Sequence, residues 1–188
     1  ERTASLVGSE MCIRDRYQSF RQPGSSIKPL IDYTPSLERN YTPDSSVNDH
    51  KFSGGPSNAS GRYYGYVSLR FALEQSLNTV AWQLFEELTP KVGLQYLLNM
   101  HFSKIVKKDY TNATSIGGLT YGCSALEMAS GFATLENDGK FRDPTCIVKI
   151  LDSEGNTVVE DHVDETYIYD SKAANTMVDM MEGVFTRG

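Results

Sequence analysis

The stretch RQPGSSIKPL, residues 21–30, places two serines after a glycine and a lysine directly before a proline. Within it, Ser25 and Lys28 form an S-x-x-K pattern that occurs once in the chain. The apolar residues of the stretch recur at i, i+3 and i+4, which predicts a helix that begins near Ser25. Since residues three apart on a helix share one face, we expect the lysine amine to lie beside the serine hydroxyl.

The residue types in this stretch suit nucleophilic catalysis. A serine hydroxyl is a weak nucleophile until a base removes its proton, and a lysine serves as that base when burial or a nearby cation lowers its pKa. The start of the predicted helix offers free backbone N–H groups to an oxyanion. Gly24 would let the backbone approach a substrate closely, and Pro29 is tolerated near a helix start. Alone the pattern is weak, because a serine and a lysine on the exposed face of an amphipathic helix would look the same.

A second polar pattern, S-x-N, occurs twice. The first copy, residues 46–48, falls in a polar stretch, residues 38–64, that we interpret as a long solvated loop. Ser76 and Asn78 form the second copy and join two predicted amphipathic helices, so their side chains are expected to be held in place. There Ser76 would relay a proton between Lys28 and a leaving amine, and Asn78 would hold a substrate amide. Helix capping is an alternative role that is compatible with this one.

Apolar residues at helical spacing predict helices on both sides of the second S-x-N copy. Ser68 would cap a short helix before it, and Thr89 would cap a helix after it that has Pro90 at its first position. Asp49 and Arg70 are interpreted as structural charges. The helix that follows Asn78 is marked by Val80, Ala81, Leu84, Phe85 and Leu88.

The second half of the chain predicts two more helices and a hairpin. Ser124 and Glu127 form a capping box for the first helix. Residues 146–151 and 157–160 are typical of two strands around the turn SEGN. The apolar face of the first helix is expected to be Leu126, Ala129, Phe132 and Ala133. The apolar face of the last helix is expected to be Ala174, Met177, Met181 and Val184.

Size and composition limit the possible function classes. The 188 residues suit one domain or a large piece of one, and 39% hydrophobic residues are enough for a core. A net charge of -6 without a basic run argues against nucleic acid as the main partner. No stretch approaches the ~20 apolar residues of a membrane helix, and no signal peptide is visible. Any targeting element is therefore expected outside this chain.

Cysteines and histidines give no pattern typical of a metal or cofactor site. Cys12, Cys123 and Cys146 include no C-x-x-C pair, and their odd number does not suggest a disulfide framework. The three histidines are far apart, and no glycine-rich phosphate-binding motif is present. We therefore expect neither a metal nor a cofactor.

Both ends of the sequence are unusual. The piece SLVGSEMCIRDR, residues 5–16, resembles the translation of a sequencing-adapter read-through. We therefore expect residues 1–16 to be non-native and the natural domain to cover residues 17–188. An ordinary disordered terminus is the alternative for the first segment. The other end, EGVFTRG, carries no closing signal, which suggests an interrupted reading frame.

Three stretches together carry a specific resemblance. RQPGSSIKPL, GYVSLRFALEQSLNTVAWQLF at residues 65–85 and GGLTYGCSALEMASGFATLENDGKF at residues 117–141 resemble the transpeptidase domain of class A penicillin-binding proteins, in the expected order. The resemblance implies an α+β fold of the penicillin-binding protein and serine beta-lactamase type. That fold has a helical subdomain and an antiparallel sheet.

The resemblance also implies the activity of a peptidoglycan D,D-transpeptidase. Ser25 would be the acylated serine, Lys28 the general base, and Ser76 and Asn78 the second motif, with Gly24 beside the substrate. The serine would attack the D-Ala-D-Ala end of a stem peptide, and an amine of a neighbouring stem would take the acyl group. Beta-lactams would trap the same serine. Such a protein works on the extracytoplasmic face of the bacterial cell membrane, with a membrane anchor and a glycosyltransferase domain upstream.

The sequence departs from the superfamily at its third motif. No lysine or histidine is followed by [ST]-G, so the K-T-G motif is absent. We therefore expect a fragment that stops before this motif and is mostly helical. It would lack most strands of the central sheet, including those before the serine, and would be inactive alone.

Other functions share the first motif. A D-Ala-D-Ala carboxypeptidase differs only in using water as the acceptor. A class A serine beta-lactamase would carry a glutamate in an E-x-x-L-N pattern, whereas the nearest match, QYLLN, has Gln95 at that position. A non-catalytic beta-lactam sensor that is acylated once, or an inactive truncated reading frame, also fits the residues.

Overall fold

The computed structural model describes residue 17 and residues 19–145, 147–160 and 164–188. Within these ranges, helices alternate with short antiparallel strand pairs. This arrangement confirms the predicted α+β class. The expectations for residues 1–16 and for Cys146 fall outside the described residues.

The α-helices of the described ranges are α1 (Thr34–Leu37), α2 (Leu69–Glu74), α3 (Asn78–Leu88), α4 (Pro90–Asn99), α5 (Ala125–Glu136) and α6 (Ser171–Arg187). The strands are β1 (Phe20–Arg21), β2 (Ser46–Asp49), β3 (Gly65–Ser68), β4 (Cys123–Ser124), β5 (Lys140–Phe141), β6 (Lys149–Leu151), β7 (Thr157–Glu160) and β8 (Thr166–Tyr167). They pair as β1 with β4, β2 with β3, β5 with β8 and β6 with β7, all antiparallel. A short strand, β1, therefore does precede the serine.

Residues 24–37, the serine segment, form one helical stretch with three kinds of hydrogen bonding. Gly24–Ile27 is a 3-10 helix, Pro29–Tyr33 is a π-helix, and α1 follows directly. Because proline has no backbone N–H, Pro29 fits at the start of the π-helix, where its carbonyl accepts from the Thr34 N–H. The predicted helix near Ser25 is confirmed, and the change in hydrogen bonding is what periodicity alone did not predict.

The hydrophobic core forms where the serine segment packs against α3 and α4. These elements each turn one apolar face inwards, as their helical spacing predicts. Members of the core that are almost fully buried include Ile27, Leu30, Ile31, Val80, Ala81, Phe85, Leu94 and Leu97. The core thus fixes the serine segment rigidly below the position of Ser25.

The polar stretch at residues 38–64 is not simply a loop, and that interpretation was wrong. β2 lies within it and pairs with β3, with Asn48 opposite Tyr66. The first S-x-N copy therefore lies on a strand rather than in a solvated loop. The strand was missed because it ends in a buried carboxylate, Asp49, instead of alternating apolar residues.

The flanking helices follow the predictions closely. The Ser68 hydroxyl accepts from the Phe71 N–H and caps α2, as expected. Pro90 begins α4, but the Thr89 side chain makes no cap hydrogen bond, so its predicted capping role was wrong. Thr89 has a positive φ of 72°, which turns its side chain out of the usual capping geometry.

The capping box of α5 is confirmed, but of its expected apolar face only Phe132 packs against the core, half-buried. Ser124 and Glu127 exchange the predicted side-chain to backbone hydrogen bonds. The face that is buried consists of Ser130, Gly131, Thr134 and Leu135, while Leu126, Ala129 and Ala133 are exposed. Gly131 brings α5 against the Leu30 side chain. Small residues thus form the packed face because they allow helices to approach closely.

The predicted hairpin and last helix are present. β6 and β7 form the hairpin around residues 153–156. In α6, Ala174 and Met177 are buried as expected, Met181 is half-buried, and Val184 is exposed. The exposure of Val184 matters for the site, because the residue borders a cleft described next.

Candidate active site

A cleft of about 320 Å³ opens beside the start of the serine segment. Ser25, Lys28 and Ser76 line it, and Glu74 lies at its wall in an ion pair with Arg187. Most of the apolar wall comes from α5 and α6, with further contributions from Pro29 and from Leu73 of α2. The residues of α5 and α6 are Phe132, Met181, Val184 and Phe185. The predicted catalytic residues therefore share one cleft.

Lys28 links the two motifs. Its side chain is buried, with 1% exposure, and its Nζ donates to the Ser76 carbonyl at 2.8 Å. Nζ also donates to Ser76 Oγ at 3.1 Å and to Asn78 Oδ1 at 2.7 Å. An ammonium group has three N–H donors, so these contacts use all of them. The S-x-x-K and S-x-N motifs are thus brought together by one buried lysine.

The environment of Lys28 lowers the pKa of its ammonium group. Burial, which disfavours the charged form, lowers the pKa of Lys28 to about 8, and the charge of Asp32 acts in the opposite direction. At neutral pH about a tenth of such lysines would be uncharged. A small but usable fraction of the residue therefore has the free amine that a general base needs.

Ser25 is exposed on the rim of the same cleft. Its backbone carbonyl accepts from the Lys28 N–H. Among the described residues, no hydrogen bond joins its hydroxyl to Lys28, whose donors go to Ser76 and Asn78. The serine and its predicted base therefore line one cleft without a hydrogen bond between their side chains.

Gly24 begins the 3-10 helix with a positive φ of 56°, a conformation that glycine adopts without strain. Space around the position of a side chain on Gly24 is open. The backbone of Gly24 is instead approached closely by Gly117, where an added Cβ would overlap it. The two glycines together let residues 112–118 support the turn that presents Ser25.

The S-x-N motif forms the junction of α2 and α3. Ser76 has a positive φ of 50°, and Asn78 is the first residue of α3. This tight turn points the Ser76 carbonyl at Lys28. The Asn78 amide nitrogen donates to the Ser57 carbonyl at 2.9 Å, which leaves Oδ1 of the same amide directed at Lys28. The junction thus holds both side chains, as the sequence predicted.

Sequence reasoning missed Asp32, which lies one helical turn after Lys28. Asp32 is fully buried, and neither carboxyl oxygen has a hydrogen-bond partner among the described residues. Burial raises its pKa well above the usual range, and the Lys28 charge partly offsets this. The signal was present in the sequence, because an acidic residue at i+4 from a lysine in an apolar helix is unusual.

The described residues give no sign of a metal centre, since no group of three or more potential ligands clusters among them. Within the same ranges, no helix is both long and apolar enough to cross a bilayer.

Comparison with known proteins matches this chain to a family. The model of the penicillin binding protein transpeptidase domain matches residues 11–188. Penicillin-binding protein 4 of Bacillus subtilis is 34% identical over 176 residues, which are 92% of this chain and 28% of that protein. The chain thus spans little more than a quarter of this curated relative.

Solved structures share the fold. PonA1 from Mycobacterium tuberculosis, solved in complex with penicillin V, superposes with a TM-score of 0.75 at 21% identity. The match covers 89% of this chain and 48% of the PonA1 chain. The D,D-transpeptidase domain of a peptidoglycan glycosyltransferase from Eggerthella lenta gives a TM-score of 0.76 at 18% identity, covering 99% of this chain and 55% of its own. Because the family model matches most of this chain, the chain belongs to the penicillin-binding protein transpeptidase domain family.

Proposed function

We propose that this chain carries the acylation half of a peptidoglycan D,D-transpeptidase, with Ser25 as nucleophile and Lys28 as general base. The observation that supports this most is the buried Lys28, whose Nζ bonds Ser76 and Asn78 in the cleft that Ser25 borders. A lysine with a pKa of about 8 is suited to removing a serine proton.

The proposed reaction has two stages. Ser25 Oγ attacks the carbonyl of the penultimate D-Ala while its proton passes to the neutral Lys28 amine. The tetrahedral intermediate collapses, the C–N bond breaks, and the proton reaches the departing D-Ala amine through Ser76 Oγ, which already bonds Nζ at 3.1 Å. In the second stage, an amine of another stem peptide attacks the Ser25 ester and restores the serine. Asn78 would hold the peptide during both stages, and the open space at Gly24 would let the peptide lie against the backbone.

A class A beta-lactamase activity is not favoured by the geometry. Gln95, which stands where that enzyme's glutamate would be expected, lies on the exposed side of α4 and bonds Asn99 at 2.8 Å. It borders a different hollow from the one at Ser25. A carboxypeptidase would share every residue of the proposed acylation step, so only the acceptor distinguishes it. A sensor would form the acyl-enzyme and not turn it over.

We infer that the complete catalyst also needs a K-[ST]-G segment, which these 188 residues do not contain. The apolar wall of the cleft, with Val184 and Phe185 exposed, leaves room for such a segment. A glycosyltransferase domain and a membrane anchor elsewhere in the protein, and an extracytoplasmic location, belong to the same proposal. The glycosyltransferase domain agrees with the solved structure from Eggerthella lenta, which is a D,D-transpeptidase domain of a peptidoglycan glycosyltransferase.

A fluorescent penicillin tests the proposal. The 188-residue chain, and a longer protein in which a K-[ST]-G segment follows it, are incubated with the reagent and digested. We expect the adduct on the peptide that contains Ser25, and Ser25→Ala should abolish it, while Ser26→Ala, the neighbouring serine, should retain it. Labelling of another serine, or no labelling in either protein, would overturn the assignment. Incubation of the longer protein with a D-Ala-D-Ala peptide, with and without an amine acceptor, distinguishes the three: a transpeptidase joins the peptide to the amine, a carboxypeptidase only releases D-Ala by hydrolysis, and a sensor does neither.

A further inference from the structure

The amide of Asn58 caps the helix that carries the S-x-N motif, although it lies 20 residues before it. The Asn58 side chain is 5% exposed. Its Oδ1 accepts from the Asn78 N–H at 2.8 Å and from the Thr79 N–H at 3.4 Å. These are first-turn amides of α3, which have no partner within the helix. The residue before the helix, Leu77, provides no side-chain cap, so Asn58 takes that role from another part of the chain.

The orientation of this amide is fixed from its other side. Asn58 Nδ2 donates to Asp49 Oδ1 at 2.7 Å and to the Arg62 carbonyl at 2.9 Å. The two donors and two acceptor positions of the side chain are therefore all in use. Since an amide turned by 180° would set Nδ2 against backbone donors, these partners permit one orientation only.

Asp49 ties the same amide to the body of α3. The Asp49 carboxylate is fully buried and accepts from the Thr79 hydroxyl, and also from the Tyr64 N–H at 2.8 Å. A buried carboxylate that lost these donors would carry a large desolvation cost. The end of β2, the loop and the first turn of α3 are therefore joined by one hydrogen-bond network.

The network ends at the atoms that hold Lys28. Ser57, next to Asn58, fixes the Asn78 side chain through its carbonyl, while Asn58 fixes the Asn78 backbone. Asn78 Oδ1 in turn accepts from Lys28 Nζ. Residues 57 and 58 thus form hydrogen bonds with both the side chain and the main chain of Asn78.

We propose that Asn58 is a positioning residue for the Ser76–Asn78 motif and that Asp49 orients the Asn58 amide for this task. The inference builds on the proposed function, because its catalytic consequence depends on acylation of Ser25. Asn58 touches neither substrate nor nucleophile and acts only through Asn78. Asp49 is then more than the structural charge that the sequence suggested.

Hydrogen exchange tests the geometry without any substrate. In Asn58→Ala, the amides of Asn78 and Thr79 should exchange at least about tenfold faster, while amides in the middle of α3 keep their protection. Unchanged exchange at these two amides would overturn the proposal. Because this readout needs no acylation, it gives a result even if Ser25 proves not to be the nucleophile.

Acylation by the fluorescent penicillin tests the consequence. Where each variant is folded, Asn58→Ala should acylate about 10- to 100-fold more slowly than the wild type, since a small displacement of a positioned group has effects of that size. Asn137→Ala is the matched control, because Asn137 Nδ2 also donates to a backbone carbonyl, that of Lys140 at 2.9 Å, but lies outside the network. It should acylate at the wild-type rate. A loss of melting temperature in Asn58→Ala without a loss of rate would mean that Asn58 only stabilises the fold, which would refute the proposal.

Exchanging the amide and the carboxylate between positions 49 and 58 gives a further test in case Asn58→Ala does not fold. Asn58→Asp alone sets two carboxylates against each other, and Asp49→Asn alone sets two amides together, so both should acylate slowly. The combination of Asp49→Asn with Asn58→Asp restores one amide and one carboxylate but not the bond to the Arg62 carbonyl, so it should recover part of the rate and exceed the product of the two single losses. Rates in the double variant that equal the product of the two single losses would contradict the proposed pairing.

Discussion

Nζ of Lys28 lies 2.7 Å from Oδ1 of Asn78, a residue 50 positions further along the chain. The serine segment and the start of α3 therefore meet at one buried amine. The acceptors orient the ammonium group, and burial lowers its pKa to about 8. The site is thus arranged before any substrate enters, which reduces the reorganisation that the reaction requires.

The rate of penicillin acylation should follow the titration of Lys28. The neutral amine is the active form, so the rate should rise about tenfold per pH unit below a midpoint near pH 8 and level off above it. Stopped-flow fluorescence between pH 5 and 10 gives this profile. Lys28→Arg keeps a positive charge that does not titrate in this range, and should leave a slow rate with no such rise. A wild-type rate that is flat across this range would count against Lys28 as the base.

Asp32→Asn should move that midpoint to lower pH. An ionised Asp32 raises the pKa of Lys28, so removing its charge should leave the amine easier to deprotonate. The same pH profile measures the effect. Burial raises the pKa of Tyr33 well above its usual value, and the charges of Asp32 and Asp49 add to this effect. The Glu74–Arg187 ion pair is a further pair of charges, at the cleft wall.

Asp109→Asn is the matched control for this prediction. Asp109 is also fully buried, but its carboxylate accepts from Thr120 and from the Val106 N–H. Because Asp109 is not one of the charges that shift the pKa of Lys28, the midpoint should stay in place. A midpoint that does not move in Asp32→Asn would indicate that Asp32 already carries a proton in the wild type.

Local motifs made the two halves of the candidate site predictable. S-x-x-K near a helix start and S-x-N between two amphipathic helices identified Lys28, Ser76 and Asn78, which the fold does bring together. Helix boundaries were equally accessible because Ser68, Ser124 and Pro90 are strong local signals. Spacing placed the Lys28 amine beside the Ser25 hydroxyl, whereas its three N–H donors go to Ser76 and Asn78.

Features that depend on tertiary contacts were not predictable in the same way. β2 carries polar residues because its end binds the cap of α3, and no local pattern reveals a cap that comes from 20 residues away. The buried face of α5 was misassigned because Gly131 and its small neighbours pack closely, while apolar Leu126 remains exposed. Hydrophobic periodicity indicates which residues prefer burial, but the shape of the facing helix decides which of them achieve it.

Gly117→Ala should impair both stability and acylation. Gly117 has a φ of 85°, and a Cβ there would overlap the Gly24 backbone directly before Ser25. Gly155→Ala is the control, because Gly155 has a similar φ of 87° in an open turn. Positive φ alone should cost about 1 kcal/mol in either variant, so an additional loss in Gly117→Ala reports the overlap. Chemical denaturation measures stability, and penicillin labelling measures the site. Equal losses of stability, with normal labelling of Ser25, would contradict the prediction.

Gly93→Ala should destabilise the protein, although helix propensity alone predicts the opposite. Within a helix, replacing glycine by alanine is worth about 1 kcal/mol of stabilisation. Gly93 lies in α4 where the helix crosses α3, and a Cβ there would overlap the ring of Phe85. That ring is fully buried, so it has no space to move into, and overpacking of this kind costs about 1 to 3 kcal/mol. The overlap should therefore outweigh the propensity gain.

Thermal and urea unfolding of a two-by-two set of variants tests this balance. Phe85→Leu alone should lose stability because it leaves a cavity beside Gly93. In the Phe85→Leu background, Gly93→Ala should become neutral or stabilising, since the methyl group then fills part of that cavity. The coupling between the two positions should be about 1 kcal/mol or more, as expected for residues in contact. Additive effects would mean that α3 and α4 separate to accept the methyl group, and acylation of Ser25 should then slow as well, because α3 begins at Asn78.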